Sequence, residues 1–495
     1  MYFCKHKHAL IQAMNDNDIQ NILADLTRSI NLNPFDIKPI AESGSSRKYY
    51  RVFTDTSTLI GAYNANVEEN EAFFYLTEHF GAIGLHVPQL LAINEQRNCY
   101  LQSDLGDESL FSLLQSDLRK GAFSISTIEL LKQALEQLVR FQTEGHQGLD
   151  YSKVYPVPCF DKAAVIDDLD YFKYYFVKPH ATVVFNETRL KAEFNRFADF
   201  VSEAANDYFM FRDFQSRNIM VHQNNPYFID YQGGRKGPLQ YDVVSLLYQV
   251  KAQLPASLRN ELLEHYKQAL SVSVNLNEIR FDRYYPYFVY LRLLQVLGAY
   301  GFRGLIQKKV HFIESIPFAL NELKCLNESN TLSDYPELQH VISQVVGLIE
   351  LYTPHSSLPN SNAPLTVTVN SFSFKKGYPD DFSGNGGGFV FDCRALPNPG
   401  REPQFRTKTG RDWEVVEYLE AKPQTHEFLN HVKAIVGQSV DNYLERHFSH
   451  LMVSFGCTGG QHRSVYFAQS LADWIKATYP QVNVKLNHIE QHINE

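Results

Sequence analysis

The segment FMFRDFQSRNIMV, Phe209 to Val221, places Asp213 after an arginine and Asn218 five residues further on, between apolar flanks. Downstream, NPYFIDYQG puts Asp230 at the end of a β-like run. Phosphoryl transfer needs a group to take the proton of the attacking hydroxyl and oxygen ligands for a metal that neutralises the phosphates. Asp213 is placed to be the base, and Asn218 and Asp230 to reach the metal. A lone Asp in a polar loop is ordinarily a turn former. Three such groups in this order point instead to a catalytic loop.

A second constellation lies near the other end. SFGCTGGQHRSVYFA follows a strand pattern and opens a helix pattern. Gly459 and Gly460 free the backbone to present N–H groups, a helix N-terminus adds positive partial charge, and Arg463 offers a forked cation. Phosphate or carboxylate binding follows, against the plainer alternative of a Gly-rich turn with a surface Arg. Cys457, Arg463 and Ser464 also satisfy the C-x5-R-S spacing of cysteine phosphatases, in which a thiolate attacks phosphate. Gly456 stands where those enzymes carry His, which places that chemistry behind simple anion binding.

The elements that must position these groups divide at YTPHSSLPNSNAP, a stretch rich in Pro, Ser and Asn. It marks a linker over 351–364 between a domain at 1–350 and one at 365–495. In the first domain, about residues 20–105 read as a small β-rich lobe, with KYYRVF and STLIGAY as strands and NEAFFYLTEHF as a helix. Residues 106–350 read as a larger helical lobe, from STIELLKQALEQLVRFQ, TRLKAEFNRFADFVSEAA and PASLRNELLEHYKQAL. The fold class expected is therefore α+β for this domain. In the second, LTVTVNSFSF, GGGFVFDCRAL, HLMVSFGCTGG and QVNVKLNHIE read as strands around the helix HRSVYFAQSLADWIKA. That is a βαβ unit of an α/β domain with parallel strands.

RDFQSRN, FIDYQG and QYDVVSLL resemble the catalytic loop, metal-Asp segment and following helix of the aminoglycoside phosphotransferase and choline kinase-like family. They are most similar to the bacterial kinases of the anomeric hydroxyl of N-acetylmuramate and N-acetylglucosamine, over about residues 20–340 and including GLHVPQLLA and LGD. The resemblance implies a protein-kinase-like two-lobed fold that uses ATP and Mg²⁺. Asp213 would be the base, Asn218 and Asp230 the metal ligands, and Asp242 a structural carboxylate bracing the loop. A kinase-type lysine belongs in LIGAYN, yet no Lys occurs between Tyr49 and Arg119. In ESGSSRKYYRV, backbone at Gly44, Ser45 and Ser46 and the side chains of Arg47 and Arg51 could grip ATP phosphates instead. A plain hairpin turn fits the same spacing. VIDDLDYFKYYFVKP offers acidic and aromatic residues to an acceptor, but most of its aromatics suit a core.

FDCRALPNPG, TGRDWEVVEYL and GCTGGQHRSVYFAQSLADW resemble the C-terminal domain of the RNase adapter protein RapZ, over about 365–490. The resemblance implies a sensor of glucosamine-6-phosphate that contacts small RNA and a ribonuclease. Asp392, Arg394, Thr458, Gly459, Gly460, His462 and Arg463 occupy matching motif positions. Gly400 stands where that family has His after LPNP. The basic tail of that family and a G-x-x-x-x-G-K-[ST] loop are both missing from the sequence. RNA or ribonuclease partners are thus the weaker expectation, and an amino-sugar phosphate effector the stronger.

Composition sets the outer limits. Over 495 residues the formal net charge is -9, with 44% hydrophobic and 20% charged residues. That balance gives no general attraction to nucleic acid or anionic membrane. No apolar run reaches a membrane span, and the first residues lack a signal-peptide pattern. Six cysteines without C-x-x-C spacing fit free thiols in a reducing cytoplasm. The expectation is a cytoplasmic ATP-dependent kinase of a small-molecule sugar, fused to an amino-sugar-phosphate-binding domain. The alternative is a catalytically silent kinase-like regulator or adapter-type binding protein.

Overall fold

The computed structural model describes residues 14–40, 47–327, 329–353, 364–379, 381 and 387–495. Gly44, Ser45, Ser46 and most of the expected linker lie outside the described residues. The chain divides into two compact units, Met1–Tyr352 and Thr353–Glu495.

In the first unit a five-stranded antiparallel sheet has the order β1-β2-β3-β5-β4. Its strands are β1 (Pro34–Pro39), β2 (Lys48–Thr54), β3 (Thr58–Tyr63), β4 (Leu90–Ile93) and β5 (Cys99–Ser103). Two helices serve it, α1 (Asp16–Ser29) and α2 (Val67–Ala82). Asn15 and Asn66 cap them by accepting the backbone N–H groups of Asp18 and Glu69, which satisfies donors the first helical turn leaves open. Leu23 of α1 packs with Tyr50, Val52, Leu59 and Leu101 beneath the sheet. Helix α1 was not among the sequence expectations.

The larger lobe is helical: α3 (Leu110–Lys120), α4 (Ile125–Thr143), α5 (Lys162–Phe172), α6 (Glu187–Ser202), α7 (Leu239–Leu247), α8 (Ala256–Ser271) and α9 (Phe281–Tyr300). The shorter α10 (Val310–Ile313), α11 (Ile316–Asn327), α12 (Pro336–Val346) and α13 (Ile349–Tyr352) close it. Two small hairpin-like pairs sit among these helices, β6 (Tyr208–Met210) with β9 (Arg235–Gly237), and β7 (Ile219–His222) with β8 (Asn225–Phe228). Phe141, Phe211, Phe214, Phe228 and Tyr231 pack edge-to-face or stacked in one cluster, and each such buried ring contributes roughly 1.5–3 kcal/mol of transfer free energy. The cluster surrounds the loop between β6 and β7, so the lobe's core and the candidate catalytic loop share side chains.

Close backbone approach sets the helices under that loop. A Cβ at Gly298 of α9 would lie 2.8 Å from the Phe172 nitrogen of α5, a separation that real Cβ atoms do not tolerate. Glycine here lets α9 and α5 touch, and they carry Arg292 and Asp168 respectively.

The second unit is α/β. Its sheet has the order β11-β12-β10-β13-β14, built from β10 (Thr366–Ser373), β11 (Gly388–Asp392), β12 (His450–Cys457), β13 (Asn483–His488) and β14 (Ile493–Asn494). The three pairings β11–β12, β12–β10 and β10–β13 are parallel, and only β14 adds antiparallel. Helices α14 (Trp413–Glu420), α15 (Pro423–Glu445) and α16 (Arg463–Thr478) complete the unit. Phe467, Leu471 and Ile475 of α16 meet Val367, Val453 and Phe455 of the sheet, the covering that a parallel sheet requires. Both expected architectures are present.

Candidate functional site

Strand β6 leads into Phe211, Arg212 and Asp213, anchored by buried Phe209, Met210 and Phe211. The carboxylate of Asp242, on α7, accepts the backbone N–H of Phe211 at 2.6 Å and of Arg212 at 2.9 Å. Arg212 is held in the left-handed region at φ +75°, which is unfavourable for a non-glycine residue and costs of order 1–3 kcal/mol. Its guanidinium forks onto Asp168 at 2.9 and 2.6 Å and donates to the Tyr241 hydroxyl at 2.6 Å. These bonds turn the Arg212 side chain away and aim the next residue, Asp213, outward. Burial pushes the Asp242 carboxyl up to about 7, against the two backbone N–H groups that favour its charged form.

Asp213 keeps 32% of its side-chain surface open to solvent. Arg217 lies 3.0 Å from Oδ2 and Arg292 lies 3.5 Å from Oδ1, while the Gln215 amide also donates to Oδ1. Enclosure by protein raises the carboxyl pKa, but Arg217 and Arg292 together outweigh it and hold Asp213 below the usual carboxylate range. It is ionised at neutral pH and able to accept a proton.

Asn218 ends the short 3-10 turn Ser216–Asn218. Its Nδ2 donates to the Asp213 carbonyl at 2.9 Å and to Asp230 Oδ2 at 3.2 Å. Gln232 donates to the other oxygen of Asp230 at 2.8 Å. Protein surrounds Asp230 on most sides, yet the residue keeps an exposed face. Enclosure first, and the neighbouring Asp213 charge second, raise its pKa. Two carboxylates brought together at such a cost, with an amide oxygen beside them, are a donor set suited to a hard divalent cation. Among the described residues, no group of three or more His, Cys, Asp or Glu side chains is arranged to hold a metal, so phosphate oxygens and water would complete any coordination here.

Arg47 enters this neighbourhood from the start of β2. Its guanidinium is buried, 3.2 Å from Glu69 of α2 and 5.9 Å from the centroid of Phe73. Asn64 donates to the second Glu69 oxygen at 2.9 Å. Arg47 also acts through space to lower the pKa of Asp230, a small effect beside enclosure and the Asp213 charge. Strand β3 bears no lysine; the Arg47–Glu69 ion pair joins the residue before the neighbouring β2 to α2. Arg51 does not join it: Asp104 at 2.7 Å and Asp107 at 2.8 Å occupy that guanidinium.

In the second unit, β12 ends at Cys457 and α16 begins at Arg463. Gly460 has φ +66°, and a Cβ there would lie 3.0 Å from the Ser373 nitrogen and against Glu490, so only glycine fits this turn. The Cys457 sulfur accepts the Gly460 N–H at 3.2 Å and lies 3.2 Å from the Ser464 hydroxyl. Burial opposes the thiolate, but the Ser464 hydroxyl and the backbone N–H groups of Ser464, Gly460 and Gln461 outweigh it and draw the thiol below its ordinary range. Arg463 is only 5% exposed; Nη1 donates to the Arg394 and Leu396 carbonyls at 2.8 and 3.0 Å, and its buried Nε has no partner.

A cavity of about 230 Å³ opens over this turn, lined by Thr458, Gly459, Gln461, His462 and Arg463 together with Cys457, Asn398, Gly400 and Arg406. Four of the seven residues marked in the sequence thus line it. Gly460 shapes the turn from behind. Asp392 and Arg394 pair with each other at 2.7 Å instead of lining the cavity, and reach it only through the Arg394 carbonyl that Arg463 grips. His462 is turned onto the Phe405 carbonyl at 2.8 Å. Arg406 and Asn398 were missed by sequence reasoning; the run LPNPGREPQFR carries the signal, a cation six residues beyond a turn glycine.

Comparison with known proteins agrees with both halves of this picture. Residues 36–276 match the phosphotransferase enzyme family, and residues 365–492 match the RapZ C-terminal domain. The chain joins an APH phosphotransferase domain to a RapZ C-terminal domain. Curated relatives include a nucleotide-binding protein of Paracidovorax citrulli, 39% identical over 32% of this chain and 52% of its own length. Another, from Methylococcus capsulatus, is 36% identical over 33% of this chain and 50% of its own length. The chain spans about half the length of the curated relatives it matches. Among solved structures, a Plasmodium vivax ethanolamine kinase aligns over 59% of this chain and 82% of its own, with a TM-score of 0.43 and 11% identity. Amicoumacin kinase hAmiN, in complex with AMP-PNP, Ca²⁺ and Ami, aligns over 57% and 86%, with a TM-score of 0.41 and 13% identity. No helix of the described residues is long and apolar enough to cross a membrane.

Proposed function

We propose that the phosphotransferase domain transfers the γ-phosphoryl group of ATP to a hydroxyl of an amino sugar, and that the RapZ C-terminal domain binds an amino-sugar phosphate. The observation that carries the first part is the single amide of Asn218 bridging Asp213 and Asp230, one residue tying a base to a metal-site carboxylate. Asp213, ionised and solvent-facing, orients the acceptor hydroxyl and takes its proton as the oxygen attacks phosphorus in line. Mg²⁺ would be held by Asn218 and Asp230 and would neutralise charge between the β- and γ-phosphates. Arg47, fixed by Glu69, places a further positive charge where the phosphates lie. Arg292 and Arg217 keep Asp213 charged between turnovers.

The second part rests on the cavity over Thr458–Arg463, with its glycine-shaped turn, helix N-terminus and buried unpartnered guanidinium nitrogen. The amino-sugar class comes from the family resemblances of both domains, which agree on it. Incubating the protein with ATP, Mg²⁺ and a panel of amino sugars should give one or more phosphorylated products. Nucleotide binding without product across the panel would favour a silent, sensing domain, for which the lysine-free β3 is the specific support.

A further inference from the structure

Cys457 has an unused chemistry. Its sulfur sits at the floor of the cavity, in reach of the Gly460 N–H and the Ser464 hydroxyl at 3.2 Å each. Both favour a charged sulfur, and a thiolate is the form that attacks oxidants and electrophiles. Arg463 lines the same cavity, its Nη1 taken up by the Arg394 and Leu396 carbonyls while its buried Nε has no hydrogen-bond partner. A second thiol stands next to Cys457. Strands β11 and β12 pair in parallel up to Asp392 opposite Gly456, where the Cys393 N–H donates to the Gly456 carbonyl at 2.8 Å and closes that last pair. Cys393 is the residue directly after β11, and Cys457 is the last residue of β12, one beyond Gly456. Neighbouring strands run about 4.8 Å apart, inside the span over which two half-cystines can join. Both are free and buried; burial first, and the neighbouring Cys457 second, push the Cys393 thiol up, which keeps it protonated. Arg463 and Asp392 act on Cys393, and Arg406, His462 and Arg463 share the cavity lining with Cys457.

We propose that Cys457 is a modification site for hydroperoxides, oxidised to a sulfenic acid that Cys393 resolves to a disulfide, and that this oxidation empties the anion cradle. In the first step the thiolate attacks one peroxide oxygen. An S–O bond forms, the O–O bond breaks, and hydroxide (or alkoxide) leaves into solvent, where the buffer protonates it. Sulfur loses two electrons and the peroxide gains them. In the second step the Cys393 sulfur attacks Cys457, an S–S bond forms, the S–O bond breaks, and the departing hydroxide leaves as water with the Cys393 proton. Bonding to Cys393 takes the sulfur from the Gly460 N–H and Ser464 hydroxyl, which releases the turn that shapes the cradle. A bound phosphate, in turn, sets negative charge beside the thiolate and slows its oxidation. The cradle part rests on the anion-binding reading; the sulfur chemistry does not.

The test treats the full-length protein with hydrogen peroxide and reads peptides by mass spectrometry. A Cys393–Cys457 disulfide is expected in the unaltered protein, and a dimedone-trapped sulfenic acid at Cys457 in Cys393→Ser. The rate of Cys457 oxidation should rise with a midpoint below that of a free thiol, about 8.5, and fall at least tenfold in saturating inorganic phosphate. Calorimetry with inorganic phosphate should show binding to the reduced protein and at least tenfold weaker binding after oxidation. Cys457 unoxidised while the exposed Cys325 reacts, or oxidised without a disulfide to Cys393, would overturn the proposal. Phosphate binding to the reduced protein alongside an inert Cys457 would overturn it and leave the anion-binding reading standing. Oxidation of Cys457 with no phosphate binding in either state would remove the cradle link and the anion-binding reading together.

Discussion

Asp242 Oδ1 accepts the backbone N–H of Arg212 at 2.9 Å, and Arg212 stands at φ +75° immediately before the candidate base. A carboxylate on one helix therefore fixes the backbone angle from which Asp213 projects. The same carboxylate takes the Phe211 N–H at 2.6 Å. Replacing it with alanine strands two enclosed backbone donors, at about 1–3 kcal/mol each. Asp242→Ala should lower stability by about 2–5 kcal/mol in chemical denaturation, and Asp242→Asn by less, since its amide oxygen still accepts one bond. Equal, small losses for both would contradict the bracing role.

Titration of Asp242 gives a second expectation. Burial raises its folded-state pKa to about 7, above the ordinary carboxylate value near 4 in the unfolded chain. Between those values the folded form binds more protons than the unfolded one, so stability is greatest below about pH 4 for this group and is lost as pH rises toward 7. The slope from one such group approaches about 1.4 kcal/mol per pH unit. Comparing denaturation midpoints of the unaltered protein and Asp242→Asn from pH 4 to 8 isolates this contribution, and the variant should show a shallower decline.

Arg292 and Arg217 hold Asp213 below the carboxylate range. Removing Arg292 as Arg292→Met takes away a cation 3.5 Å from Oδ1, so the Asp213 pKa rises and the base is protonated at higher pH. The acidic limb of kcat/KM against pH should move upward, by about one unit or more. An unmoved limb would mean that some other group sets it.

In the proposed function Arg47, held by Glu69 at 3.2 Å, stands in for the lysine that β3 lacks. Arg47→Met should raise the KM for ATP about tenfold or more. Glu69→Gln should have a smaller effect in the same direction, and the double variant should cost less than the sum, as expected of residues in direct contact. Steady-state kinetics on the four proteins measures this, and strict additivity would dissolve the pair.

At the other end, Gly460→Ala meets a positive φ and backbone at 3.0 Å. Stability should drop by about 1–3 kcal/mol, with loss of phosphate binding in calorimetry. Gly459, whose added Cβ meets no atom within 4 Å, should tolerate alanine far better.

Periodicity and turn residues made the lobes and the βαβ unit legible, because alternating and three-to-four spacings are local properties of the chain. The order Asp213, Asn218, Asp230 was legible for a similar reason: all three lie within one short stretch of loop and hairpin. What the sequence hid was contact over distance. Glu69 on α2 meets Arg47 from β2, Asp168 on α5 meets Arg212, and Arg292 on α9 meets Asp213, each pair set by packing that no local pattern encodes. Arg292 even reads as an interruption of an apolar helix, although its charge is the useful part. Asp392 and Arg394, which occupy matching motif positions, pair with each other and do not line the cavity. Helix α1 was obscured by its polar first turn, which is a capping signal.

Replacing Asp213 with Asn keeps the size of the side chain and its contacts with Arg217, Gln215 and Asn218 while removing the proton acceptor. Turnover of ATP with a phosphorylatable amino sugar should fall by at least 10²-fold in Asp213→Asn, with ATP affinity by calorimetry changed less than about threefold. Retained turnover would contradict the assignment of Asp213 as the base.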